Sequence, residues 1–152
     1  WKLTAVLLDG APDSLLDSYE SERRPHVETF IELAVKLGAV LQETDPARAA
    51  ARDARFASGA QMFDFPQPQL GPGMRTDAPP PVGTIFPQPV LPDGRRMDEA
   101  IGRRFAIVGD VGLLADRRRD AVALPGVGAD WLAQRSLRAA LLRPDRYIAE
   151  VA

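Results

Sequence analysis

Nine of the fourteen prolines in this 152-residue chain fall within residues 66–92, with Gly71, Gly73 and Gly83 among them. Each proline fixes its own φ and removes an amide donor, so neither a long helix nor a central strand can run through that stretch. Such density stiffens the backbone into extended form. The segment is expected to be a tether laid over a surface, with a domain boundary at it. A proline-rich ligand for a partner domain is the other reading of the same composition. On either reading the chain is divided, and its two sides have different periods.

Upstream the period is helical. Residues 1–8 (WKLTAVLL) are apolar nearly all round, which suits a buried helix, and residues 9–12 (DGAP) form a turn. No capping residue precedes that helix and no initiator methionine is present, so the chain is expected to be excised from something longer. Asp13 or Ser14 can cap a helix over about 13–23. Pro25 then predicts a break or kink at Arg24 and a second helical run from Pro25 to about residue 41. In that run Val27, Phe30, Ile31, Ala34, Val35, Gly38 and Leu41 form one apolar stripe. Its large side chains are each worth roughly 1.5–3 kcal/mol on burial, so the stripe requires a body to lie on. The opposite face carries Glu28, Glu32 and Lys36. A third segment, capped by Thr44 or Asp45 with Pro46 in its first turn and ended by Gly59, is polar on most sides and is expected at the surface.

Downstream the runs are short and continuous. Residues 84–91 suit an extended edge segment, its prolines excluding it from a sheet centre. Residues 105–108 (FAIV), 121–124 (AVAL) and 139–142 (AALL) read as strands buried on both faces. Short helices fit at 97–101, 113–119 and 130–137. Residues 143–146 (RPDR) form a turn that closes a hairpin into 147–151. This order describes a small α/β sandwich.

Composition removes several classes of function. A net charge of −2 with 26% charged residues leaves no electrostatic footprint for nucleic acid or an anionic membrane. Arginine supplies 17 of the 19 basic residues, a bias of codon usage rather than a site. The absence of cysteine excludes disulfides, thiolate metal sites and thiol redox chemistry. No apolar run approaches the roughly 20 residues of a membrane span, and a cytoplasmic location is expected.

The order of certain motifs resembles the class A FAD-dependent aromatic hydroxylases, in particular the 3-(3-hydroxyphenyl)propionate hydroxylase-like group and its polyketide-hydroxylase relatives. Trp1-Lys2-Leu3 stands where that family ends its FAD-binding portion with a WKL helix, and Tyr19, Glu22, Arg23, Arg24 and Pro25 match its Tyr-x-x-Glu-Arg-Arg-Pro helix. Residues 82–89 (VGTIFPQP), 93–96 (DGRR), the strand at Phe105 and 142–145 (LRPD) are similar to its C-terminal thioredoxin-like domain. The resemblance implies an α+β chain with a helical segment completing an FAD-binding domain over 1–62, a proline-rich linker over 63–83, and a cysteine-free thioredoxin-like α/β domain over 84–152. It implies FAD and NAD(P)H as cofactors of the parent protein, held mainly by residues upstream of Trp1, and an aromatic small-molecule substrate. The N-terminal FAD- and substrate-binding portion is the implied partner, with a homodimer as a further association. Catalytic, cofactor-binding and metal-binding residues are all expected to lie outside this chain, which would be structural and inactive alone. The alternative is a stand-alone noncatalytic thioredoxin-like interaction module with a helical arm. A third reading is a nonhydroxylating flavin oxidoreductase on the same scaffold. Residues 136–138 (SLR) lack the proline that redox-active thioredoxins place before the hairpin.

Single residues that invite a catalytic reading are better explained by structure. His26, the only histidine, is flanked on its helix by Pro25, Val27 and Glu22, without partners for a triad or a metal. Gly126-Val127-Gly128 opens like a nucleotide loop, but Trp131 stands where a third glycine belongs. Gly109-Asp110 is a turn at a strand end. Arg117, Arg118 and Arg119, beside Asp116 and Asp120, read as a solvated face. Tyr19, Glu22, Arg23 and Arg24 are expected to pack their helix onto a flavin domain through paired guanidinium groups, with direct cofactor or substrate contact as the lesser reading.

Overall fold

Four short strands gather the C-terminal half of the chain. In the computed structural model, which describes residues 1–60 and 65–152, they are β1 (Ala106–Gly109), β2 (Val122–Pro125), β3 (Ala139–Leu142) and β4 (Ile148–Val151). The sheet order is β2-β1-β3-β4, with β1 parallel to β2 and antiparallel to β3, and β3 antiparallel to β4. The boundary expected between residues 62 and 63 lies outside the described residues.

Strand alternation sorts the apolar side chains into two layers. Ala106, Val108, Ala140, Leu142 and Ile148 share one face with Met97 and Ile101 of α4 (Met97–Ile101) and Leu132 of α5 (Ala129–Ala133). Ile107, Leu141, Ala139 and Ala149 take the other, against Phe105, Leu114, Trp1 and Met74. β1 and β3 are buried at every position, as continuous apolar runs require. β2 departs from the expectation of burial on both faces. Only β1 lies beside it, and Ala123 and Pro125 are exposed.

Two expected helices are also corrected. Residues 113–119 form no α-helix; a 3-10 turn at Val111–Leu113 is followed by further turns. Leu114 is the one buried side chain in that stretch, so no apolar stripe holds a helix to the sheet. The helix expected over 130–137 shortens to α5, and the chain then turns through Ser136 at φ 57°.

The proline-rich stretch does more than tether. Its amides and carbonyls dress the outer edge of β4: Gly83 N–H donates to Ile148 O at 2.8 Å, Ile148 N–H to Thr84 O at 2.9 Å, and Phe86 N–H to Arg146 O at 3.0 Å. Leu70, Val82 and Phe86 are at most 2% exposed, the latter two within the main core cluster. An extended segment whose prolines lack donors can still accept and can still bury its apolar residues, which is how this one closes a sheet edge.

The helical half comprises α1 (Lys2–Asp9), α2 (Ser18–Leu41) and α3 (Pro46–Ala57). α1 ends at Gly10 in the left-handed region, φ 71°. It is not the buried apolar helix that its composition suggests: Leu3, Leu7 and Leu8 are exposed and Lys2 is buried. α3 is capped as expected, the Asp45 carboxylate accepting from Arg48 N–H at 2.9 Å, and it lies at the surface. α2 overturns the expected break at Arg24. The segment before it is a 3-10 turn at Asp13–Leu16, and from Ser18 one helix of 24 residues runs through Pro25. Pro25 has no amide for the Ser21 carbonyl four residues back. Gly71 covers that carbonyl so closely that a Cβ on it would collide with the oxygen, and Gly71 N–H donates to the next carbonyl, Glu22 O, at 2.9 Å. The Gly71 backbone thus packs directly against the turn that Pro25 leaves one hydrogen bond short. Beyond the crossing, Phe30, Ile31, Val35 and Leu41 remain 43–78% exposed, so among the described residues nothing covers the stripe.

Candidate functional site

A cluster of charged side chains lies buried where α1, α2, the proline-rich segment and the β3–β4 turn meet. The turn sets its geometry. Arg143 N–H donates to Tyr147 O at 2.9 Å and Arg146 N–H to Arg143 O at 2.8 Å, and Arg146 takes φ 64°. This is a three-residue hairpin loop, and it directs Arg143 and Asp145 back toward α2. Arg143 grips Asp145 through Nε and Nη2, at 3.1 and 2.9 Å. Its Nη2 also lies 2.9 Å from Glu22 Oε2.

Glu22 is the hub. Its side chain is 1% exposed, and Lys2 Nζ approaches the same Oε2 at 3.0 Å while donating to Ser18 Oγ at 2.6 Å. Both contacts to Oε2 are at ion-pair distance with angles outside hydrogen-bond geometry. Met74 N–H donates to Oε1 at 2.6 Å. Gly73 makes that approach possible, since a Cβ there would collide with the Glu22 side chain. Burial raises the pKa of this carboxyl, but the Met74 amide, Lys2 and Arg143 outweigh it and hold the group below its ordinary value. Trp1 completes the ring of contacts, its Nε1–H donating to Asp145 Oδ2 at 3.1 Å and its ring edge-on to Phe105 at 5.7 Å.

Beside the hub, His26 Nε2 lies 2.7 Å from Tyr147 OH, and the Arg23 guanidinium sits 5.7 Å over the Tyr147 ring. Burial, then the Arg23 charge, pushes the His26 pKa down. A cleft of about 620 Å³ opens above these groups, walled by Trp1, Leu16, Tyr19 and Tyr147.

Of the residues singled out in the sequence, Glu22 and Arg23 enter this site. Tyr19 stands at its mouth, 60% exposed, and Arg24 faces solvent, paired with Glu20 at 3.0 Å. His26 is buried. Lys2 and Arg143 were not anticipated as buried charges; the LRPD turn and the WKL helix were the only signals that could have found them. Of the glycines in the two candidate turns, Gly126 has open space beside it. The space beside Gly128 is filled by the Phe86 ring, and that beside Gly109 by the Arg138 carbonyl and Leu132. Asp110 pairs with Arg138, and Arg117 with Glu150. Among the described residues no group of three or more His, Asp or Glu side chains could hold a metal, and no helix is long and apolar enough to cross a membrane.

In comparison with known proteins, the chain is similar to a part of enzymes named as hydroxylases of aromatic compounds. It is 31% identical to a probable NADH-specific resorcinol 4-hydroxylase of Rhodococcus jostii, over 97% of this chain and 33% of the relative. It is likewise 31% identical to a 3-(3-hydroxy-phenyl)propionate/3-hydroxycinnamic acid hydroxylase of Klebsiella pneumoniae, over 100% of this chain and 37% of that protein. The chain thus spans about a third of the length of these curated relatives. Among solved structures, the anhydrotetracycline hydroxylase OxyS of Streptomyces rimosus is 26% identical with a TM-score of 0.59, covering all of this chain and 34% of that one. The rebeccamycin biosynthetic enzyme RebC shares the fold, with a TM-score of 0.68 at 23% identity over all of this chain and 36% of its own. No protein-family model matches the chain.

Proposed function

We propose that the intact protein is an NAD(P)H-using flavoprotein monooxygenase that hydroxylates a phenolic or polyketide ring, and that this chain is its noncatalytic C-terminal scaffold. The match to the resorcinol hydroxylase, over 97% of this chain and 33% of the relative, carries the reading. Oxygen activation belongs to the bound flavin. Flavin and substrate would be held mainly elsewhere in the protein, since this chain corresponds to only a third of the relative.

What the chain supplies is a fixed support. The exposed stripe of α2 would face the FAD-binding portion, and the Glu22 hub would lock α1 and α2 to the sheet. The order β2-β1-β3-β4, with one parallel pair and a closing hairpin, supports a thioredoxin-like reading of the sheet unit. With no cysteine, that unit cannot exchange disulfides. A homodimer and a cytoplasmic location belong to the same proposal.

The test is purification of the protein at its native length. Flavin absorption with NAD(P)H oxidation stimulated by resorcinol or 3-(3-hydroxyphenyl)propionate is the expected result. A colourless, folded, monodisperse protein of 16.5 kDa would overturn the proposal and leave a stand-alone interaction module.

A further inference from the structure

Two Asp-Gly steps occur in the sequence, Asp9-Gly10 and Asp93-Gly94, and the chain has no asparagine. In such a step the glycine has no side chain to keep its amide nitrogen from the aspartyl carboxyl beside it. The two steps are alike in sequence. Both aspartates are exposed, and both glycines lie in the left-handed region with open space around them, at φ 71° and 83°. The fold separates them by what it does with the reacting groups.

In the turn before α4 both groups are occupied. Gly94 N–H donates to Leu91 O at 2.9 Å, and Leu91 N–H donates to Arg95 O at 2.8 Å. The Asp93 carboxylate accepts from Arg95 Nε at 2.8 Å and from Arg95 N–H at 3.1 Å. The Arg95 guanidinium, then the Arg95 amide, hold its carboxyl below the ordinary value, so less of it is in the neutral form that an amide nitrogen attacks. At the end of α1 neither group is held. Gly10 N–H donates to no backbone carbonyl among the described residues, and the bond that fastens this end is Ala11 N–H to Ala5 O at 3.0 Å. Asp9 joins none of the ion pairs or side-chain hydrogen bonds among the described residues. Its charge lies in the last turn of α1, which has no basic residue, at the negative end of the helix dipole. That placement favours fraying there.

We infer that Asp9-Gly10 is a modification site, the step at which the folded protein converts aspartate to isoaspartate. The Gly10 amide nitrogen bonds to Asp9 Cγ, and its proton leaves with the carboxyl hydroxyl as water, closing a cyclic succinimide. Water then adds back. Opening at the main-chain carbonyl leaves Gly10 joined through Cγ, with no net change in atoms or electrons. The product has an extra methylene in its main chain and a free α-carboxylate at the exposed end of α1. A protein isoaspartyl methyltransferase accepts such a carboxylate, the methyl group passing to it from the sulfonium of S-adenosylmethionine. To reach the attack geometry Asp9 must leave its helical ψ, which breaks the Ala11 bond alone, whereas Asp93 must shed its Arg95 contacts and the bonds of its turn. The inference does not depend on the flavin reading.

Ageing the protein at its native length in neutral buffer tests it, with methyl transfer to detect isoaspartate and peptide mapping by fragment-ion sequencing to place it. The expected result is conversion at Asp9 about tenfold faster than at Asp93, the ratio that one further hydrogen bond of about 1.4 kcal/mol gives. When the same protein is aged in urea the two rates should become nearly equal, because the protection of Asp93 belongs to the fold. Arg95→Ala, an exposed change remote from α1, should speed conversion at Asp93 and leave Asp9 as it was. Asp9→Glu should remove the methyl acceptor from the peptide spanning residues 3–23. Conversion at Asp9 no faster than at Asp93 in the folded protein, a lead that persists unchanged in urea, an Asp93 rate unmoved by Arg95→Ala, or isoaspartate at Asp13 or Asp17 in place of Asp9 would each overturn the site.

Discussion

The two halves of the molecule bury different balances of residue, Arg143 being the buried charge of the sheet unit. In the sheet unit Ile107, Val108, Leu142 and Ile148 are at most 3% exposed, and charges such as Arg117 and Asp120 lie outside. In the helical arm the buried residues are Lys2, Glu22 and His26, while Leu7, Val35 and Leu41 are 67–78% exposed. A sheet that closes its own core needs no other body. An arm that spends its buried surface on an ion network and shows its apolar stripe is shaped to be gripped on one side and covered on the other.

The largest effect is expected where that network is broken. Glu22→Ala leaves Lys2 and Arg143 buried without their shared carboxylate, and such one-sided removal costs about 3–5 kcal/mol. Glu20→Ala, which removes only the exposed pair with Arg24, should cost under about 1 kcal/mol. Urea unfolding of the two variants compares them directly. Similar midpoints would mean that the hub does not hold the halves together.

Next comes the contrast between the two kinds of apolar residue. Ile148→Ala, at 0% exposure, should lose about 2–5 kcal/mol. Val35→Ala, 67% exposed, should change the stability of the 152-residue chain by about 0.5 kcal/mol at most. In the native-length protein the Val35 variant should become clearly destabilising if the stripe is covered there. Should Val35→Ala stay neutral in both, the arm's stripe is plain solvent surface.

Local chemistry announced itself in the sequence. Gly10 stops α1, Asp45 with Pro46 starts α3, and the runs at 105–108 and 139–142 became β1 and β3 because each needed only its own neighbours to declare a strand. The errors share a different cause. Pro25 reads as a break because the segment packed against its turn, at Gly71, is 46 positions away. Residues 121–124 read as doubly buried because composition does not say which strand ends at an edge. The site was half legible. Glu22 and Arg23 stood out on their helix, but their partners, Lys2, Arg143, Asp145 and Tyr147, come from the two ends of the chain, and no periodicity links them.

The smallest expected effect concerns the sheet-facing side of α2. His26 is the only histidine, so it is the one side chain whose ordinary pKa lies between the carboxylates and neutrality. Its pKa in the fold is lowered from 6.5 by burial and by Arg23, which means the folded chain resists the proton that the unfolded chain accepts. Above pH 6.5 both states hold a neutral ring and His26 contributes no slope. As pH falls through 6.5 the unfolded state gains protons and stability declines, levelling once the pH passes the lowered value. Glu22 acts in a separate window: its depressed carboxyl stabilises the fold above the ordinary value of 4.5, and that contribution is lost as pH falls through the lowered pKa. The single imidazole C2 proton resonance should therefore titrate below 6.5, and His26→Gln should flatten the stability profile between pH 6.5 and the onset of carboxylate protonation. A midpoint at or above 6.5 would show that the ring is solvated and that the Tyr147 contact does not bury this face of α2.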